Sequence, residues 1–170
     1  MSYEHDRAWS DRFIAEIRTI VGPYLLVPSP LEVDRKQAAD LIVLRARDMT
    51  VAARVRRPGY FERYPTQFTI RSRRTNGVKT ELAKLLEGWG DWMFYGHADD
   101  SEEAIGYWML IDLAAWRKDL LMSSYHRGWK ERCETRQNGD GSTEFVAFDA
   151  TTFAPGVVIG TNIETIRAAA

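Results

Sequence analysis

Arginines carry the clearest chemical signal in this chain. Arg54 and Arg56 lie two apart, as do Arg71 and Arg73, each pair in a stretch where apolar and polar residues alternate. Side chains two apart on a strand share a face, so each pair should present its guanidiniums together. A guanidinium stays charged at any physiological pH and matches phosphate oxygens with two parallel hydrogen bonds. Tyr60, Phe61 and Tyr64 fall between the pairs, and aromatic rings beside arginines stack on unpaired bases. If the two strands pair, Arg54, Arg56, Arg71 and Arg73 make one basic face with Tyr60 beside it. Like charges on neighbouring strands repel, so such a face needs an anion or an acidic segment over it. The alternative is that these arginines pair with the acidic final segment and the aromatics are core.

The net charge of −1 hides this signal because the charges are segregated. Residues 45–74 hold nine arginines against Asp48 and Glu62, a local +7 between flanks of −2 and −6. Screening limits the reach of distant carboxylates to about 8 Å at physiological salt, so the local excess attracts phosphates whatever the total.

The elements that position these arginines follow from periodicity. Trp9, Phe13, Ile17 and Ile20 predict an amphipathic helix closed by Gly22 and Pro23. Leu41 to Leu44 reads as a short buried strand with Asp40 at its start, and the alternation over Met49 to Arg56 as a second strand, the two forming a hairpin. Phe68 to Arg73 is a third strand. Lys79 to Tyr95 has helical spacing, weakened by Gly88 and Gly90, and Phe94 to Ala98 offers a strand that pairs with Ile105 to Ile111 across the acidic turn Asp99 to Glu103. Asp112 is placed to cap a helix over Leu113 to Leu121, and the turn Asn138 to Gly141 leads into Thr143 to Phe148, expected as an edge strand. This order predicts an α+β fold, a mixed central sheet flanked by helices, in a single domain with its core over about 9–122 and a C-terminal β extension over about 123–170.

The helix, the strand Asp40-Leu41-Ile42-Val43-Leu44, the strand Val51-Ala52-Ala53-Arg54 and the helix beginning near Lys79 together resemble the PD-(D/E)XK phosphodiesterase fold, in a form similar to small phage-encoded proteins. The resemblance implies a restriction-endonuclease-like sheet and a nuclease site: an aspartate at the start of one strand and Glu-x-Lys on the next, two carboxylates holding magnesium while the lysine positions water. Carried over, Asp40 matches the aspartate, Ala52 stands where the glutamate belongs and Arg54 where the lysine belongs. Magnesium usually takes one or two carboxylates with substrate phosphate, so a second ligand has to come from elsewhere; Glu16, Asp34 and Glu81 are the topological candidates. Arginine at the lysine position stabilises a phosphate in transfer but does not act as a base.

His5, His97 and His126 have no metal-ligand spacing, and a lone cysteine, Cys133, is read as inert. No apolar run approaches the roughly 18 residues of a membrane span, and the N-terminus carries Glu4, Asp6 and Asp11 where a signal peptide has a basic and then apolar segment. A cytoplasmic protein is expected. The functional expectation is a nucleic-acid-binding protein, with magnesium-dependent phosphodiesterase activity if a second carboxylate completes the site. The alternative is a non-catalytic phage protein that docks its basic face on an acidic protein partner.

Overall fold

The apolar spacing over Trp9 to Ile20 produces two helices instead of one: α1 (Tyr3–Asp11) and α2 (Ile14–Val21). Phe13 stands at the break, its ring edge-on to Trp9 at 5.1 Å, and is buried with Ile17 and Val21. In the computed structural model the chain divides into two compact units, Met1–Thr50 and Val51–Ala170. The structure describes residues 3–28, 41–43, 49–74, 78–123, 129–138 and 141–168. The first unit holds α1, α2, a 3-10 turn over Gly22–Leu25 and an antiparallel pair, β1 (Leu26–Pro28) with β2 (Leu41–Val43).

That pairing corrects the expected hairpin. β2 partners β1, while β3 (Val51–Arg56) is the edge of a four-stranded mixed sheet in the second unit. There β3 runs parallel to β5 (Trp92–Ala98), β5 antiparallel to β6 (Ile105–Asp112) and β6 antiparallel to β9 (Val158–Thr161). A separate antiparallel sheet has the order β4 (Gln67–Arg74), β8 (Thr143–Asp149), β7 (Cys133–Gln137). β8 is therefore central, not an edge. The fold is mixed α+β, with a four-stranded mixed sheet, an antiparallel sheet and flanking helices α3 (Glu81–Leu86), α4 (Leu113–Ser123) and α5 (Glu164–Arg167).

The helix expected over Lys79 to Tyr95 lasts only from Glu81 to Leu86. Thr80 starts it by accepting the Ala83 N–H at 3.3 Å. Gly88 and Gly90 then take φ of +100° and +78°, a left-handed backbone that glycine adopts without steric penalty, and the chain turns into β5. Asp112 does cap the next helix, accepting the Ala115 N–H at 2.8 Å, and β5 and β6 do form the expected hairpin. Asp99 organises their acidic turn by accepting from Ser101 Oγ, Glu103 N and Ala104 N, with the Ser101 bond first among the causes that hold its carboxyl below the ordinary range.

The core of the second unit joins both sheets. Phe68 and Ile70 of β4 and Val146 and Phe148 of β8 meet Met93 and Tyr95 of β5 and Met109 and Ile111 of β6. Leu82 and Leu85 seal it from α3, Trp116 and Leu120 from α4. Phe153, Val157, Ile163 and Ile166 belong to the same cluster, so the residues read as a C-terminal extension are part of the core. Trp89, expected on an apolar helix face, is instead 67% exposed beyond the end of α3.

Candidate functional site

Strand register places Arg54 beside Tyr95 and Arg56 beside His97 on one face of the mixed sheet. Register in the other sheet lines up Arg71, Phe145 and Arg136 across β4, β8 and β7. Between these faces opens a cleft of about 200 Å³. Arg56, Tyr95 and His97 line it from one sheet, and Gln67, Thr69, Phe145 and Arg136 from the other. The loop joining β3 to β4 closes it with Tyr60 and Tyr64.

The four arginines do not form one paired basic face, because β3 and β4 belong to different sheets. Arg54 bends across the gap: its guanidinium donates to the Thr69 carbonyl at 3.0 Å and pairs with the Glu81 carboxylate, both side chains being largely covered (18% and 29% exposed). Glu81 also accepts the Arg71 N–H at 3.2 Å. Arg73 pairs with Glu144 at 2.8 Å, which puts it on the acidic final segment. The Arg71 guanidinium lies 5.7 Å from the Phe145 ring. Arg56 alone of the four lines the cleft, 4.7 Å above the Tyr60 ring, and it has no carboxylate partner among the described residues.

Sequence reasoning missed Arg136. It faces the cleft from β7 with its guanidinium 4.1 Å above the Tyr64 ring, tethered at 2.7 Å to Glu134 two residues earlier on the same strand face. The local signal was the alternation of Cys133 to Gln137, submerged in a segment whose total charge is acidic. Of the expected aromatics, Tyr60 and Tyr64 serve as platforms under arginines, whereas Phe61 is structural, stacked on Tyr107 at 3.5 Å and edge-on to His97.

The floor of the cleft is polar and buried. Tyr95 and Thr69 satisfy each other through a 3.0 Å hydroxyl contact. His97 is only 2% exposed, and among the described residues neither of its ring nitrogens, nor Gln67 Oε1, has a hydrogen-bond partner. Burial, and then the charge of Arg56, push the His97 pKa down to about 4, so the imidazole is neutral at pH 7.

The expected metal ligands do not assemble among the described residues. Asp40 and Asp34 lie outside them. Glu16 is half-buried on α2 in the first unit, and Glu81 is engaged by Arg54 and the Arg71 N–H. No group of three or more His, Cys, Asp or Glu among the described residues is placed to hold a metal ion. Glu81 is not free to hold magnesium, because Arg54 already neutralises it. Burial raises the Cys133 thiol pKa, the reverse of what an activated nucleophile needs.

The Arg54–Glu81 clamp ties β3, β4 and α3 together. Glu81→Ala is expected to cost about 1–3 kcal/mol in urea unfolding, since it strands a largely covered guanidinium and a backbone N–H at once. A loss below about 0.5 kcal/mol would place the pair with ordinary exposed ion pairs and refute the clamp.

Fold and site together define an α+β chain whose second unit carries a basic, tyrosine-lined cleft between two sheets. Set against protein-family models, curated proteins and solved structures, the chain matches none. No helix among the described residues is long and apolar enough to cross a membrane.

Proposed function

We propose that this chain is a nucleic-acid-binding protein of PD-(D/E)XK-like ancestry, and that it grips single strands through the cleft. The observation that supports this most directly is the pairing of Arg56 with Tyr60 and of Arg136 with Tyr64 at the rim of one cavity. Guanidiniums supply phosphate contacts, and tyrosine faces supply stacking surfaces that tolerate any base. The cleft is too small for a duplex, which favours an unpaired strand. Arg54 and Arg73 contribute less than their sequence positions suggest, because neither lines the cleft and Glu81 and Glu144 pair with them; Arg136 lines it, with Glu134 of its own strand at 2.7 Å.

The test is binding of labelled single- and double-stranded DNA and RNA across a salt series. Each phosphate contact on a single strand contributes about −0.7 to the slope of log affinity against log salt. Arg56→Ala and Arg136→Ala should each flatten that slope by about that amount, and Arg73→Ala should leave it nearly unchanged. Equal slopes in all three variants would remove the cleft from the interface. Failure of every strand to bind would leave the alternative, docking on an acidic protein surface.

Magnesium-dependent phosphodiesterase activity belongs to the same reading through Asp40. Adding magnesium or manganese to the same samples tests it. Cleavage that disappears in Asp40→Ala would add catalysis to binding, and binding without cleavage in the presence of the metal would restrict the protein to binding.

A further inference from the structure

We propose that β7 is a dimerisation edge. Two copies of this chain join through it, paired antiparallel about Thr135, with Glu134 of each copy opposite Arg136 of the other. This goes beyond strand binding and needs no nucleic acid.

β7 has a sheet neighbour on one side only. Asn138 donates its N–H to the Thr143 carbonyl at 2.9 Å, and the register carries that alternation back along the strand. Glu134 and Arg136 therefore direct their backbone groups at β8, while Cys133, Thr135 and Gln137 direct theirs away from it. Thr135 and Gln137 are exposed, and among the described residues no backbone bond from elsewhere in the chain reaches their outward groups. Such an edge is a template for a further strand.

Charge complementarity selects the occupant. An antiparallel pair centred on Thr135 sets Glu134 against Arg136 of the second copy, and Cys133 against Gln137. Thr135 with Thr135, and Cys133 with Gln137, become the hydrogen-bonded pairs and exchange about six backbone bonds in all. Glu134 and Arg136 fall in the other kind of pair, whose Cα atoms approach more closely, to about 4.5 Å. Opposite charges so placed attract, and like charges repel. The two side chains already share a face, since they meet at 2.7 Å within the strand.

The other edges of the two larger sheets lack this property. β3 and β4 carry arginines and no carboxylate, so either one paired with its own copy brings only like charges together. β9 has no charged side chain. The β7 pairing is isologous, with its two-fold axis perpendicular to the joined sheet. Both clefts then open on the same face, because Arg136 lines each. A single pair of short strands buries less surface than a standard interface, so the dimer is transient.

The experiment is sedimentation velocity of the full chain from about 10 µM to about 1 mM, with circular dichroism of each variant as the check on folding. The mass is expected to rise from 19.5 kDa toward twice that value. Glu134→Arg and Arg136→Glu each set like charges opposite one another at both symmetric positions, and each is expected to weaken dimerisation about tenfold or more. The chain carrying both changes is expected to dimerise as the parent does, and an equimolar mixture of the two single variants to form a mixed dimer. Thr135→Pro removes an outward N–H at the centre of the interface and no bond to β8, so it is expected to give a folded monomer.

A parent chain that stays monomeric at about 1 mM would overturn the proposal. So would dimerisation that the single variants and Thr135→Pro leave unchanged, because the copies would then meet elsewhere. Association lost in the single variants and restored by neither the double exchange nor the mixture would overturn it as well. With no nucleic acid present, none of these results bears on the grip of the cleft on a strand.

Discussion

Phe148→Ala is expected to lower the unfolding free energy by about 3–5 kcal/mol, a large share of the roughly 5–15 kcal/mol typical of a whole domain. Phe148 is fully buried near the end of β8. Its ring meets Phe68 at 5.5 Å, Trp116 edge-on at 5.5 Å and Phe153 at 6.0 Å, so one side chain ties β4, α4 and the segment after β8 into a single cluster. No neighbour can fill the space, because the ring sits between elements whose backbones are held by two sheets and a helix. Truncation therefore leaves a cavity, which adds to the lost transfer free energy. Urea denaturation read by tryptophan fluorescence measures it. A cost under about 1 kcal/mol would mean that residues 133–168 are an appendage. That result would also predict a folded chain truncated after Ser123, whereas the structure predicts none.

The second large effect is acid sensitivity centred on His97. Its pKa is about 4 in the fold against an ordinary 6.5. Between those values the unfolded chain binds a proton that the folded chain refuses, so stability rises with pH across the window. The contribution is fully present above pH 6.5 and is lost as pH falls toward 4. The loss is about 1 kcal/mol by pH 5.5 and about 2–3 kcal/mol by pH 4.5. Around the ring stand Phe61 from the connecting loop and Tyr95 from β5, each edge-on at 5.5 Å, with Tyr107 of β6 opposite it and the charge of Arg56 beside it on β3. None is a carboxylate that would welcome an imidazolium.

His97→Phe, which keeps a planar ring without a titrating group, isolates this term from the carboxylates that also protonate in acid. At pH 7.5 the variant should lie within about 1.5 kcal/mol of the parent. As pH falls, the difference should move in the variant's favour by the amounts above. Parallel stability curves from pH 7.5 to 4.5 would show that the folded protein accepts the proton after all.

Local features were readable from residue order because they depend on neighbours along the chain. Asp112 caps α4 and the Asp99 to Glu103 turn joins β5 to β6, since each rests on hydrogen bonds within five residues. The strands carrying Arg54, Arg56, Arg71 and Arg73 were legible as alternation, which is a property of one strand by itself. The α+β class followed from the order of such elements. Gly88 and Gly90 were visible as weak points in a helix, but whether they merely loosen it or end it depends on what competes for the residues beyond. Here Met93 and Tyr95 gain more by joining the core as a strand than by extending α3.

Strand partnership was the property that residue order did not determine. Alternation says which side chains share a face and nothing about which strand lies alongside, because every strand offers the same backbone donors and acceptors. Only the assembled fold made β3 a parallel neighbour of β5 and sent β4 to β8, residues 67–74 pairing with residues 143–149. That choice split the four arginines, put Glu81 on Arg54 and Glu144 on Arg73, and brought Arg136 opposite Arg56 from a segment of acidic total charge. Sequence alone located the arginine cluster over residues 45–74 but not Arg136. Tertiary structure decided which arginines pair with distant carboxylates and which line the cleft, because charge compensation acts through space over a few ångströms.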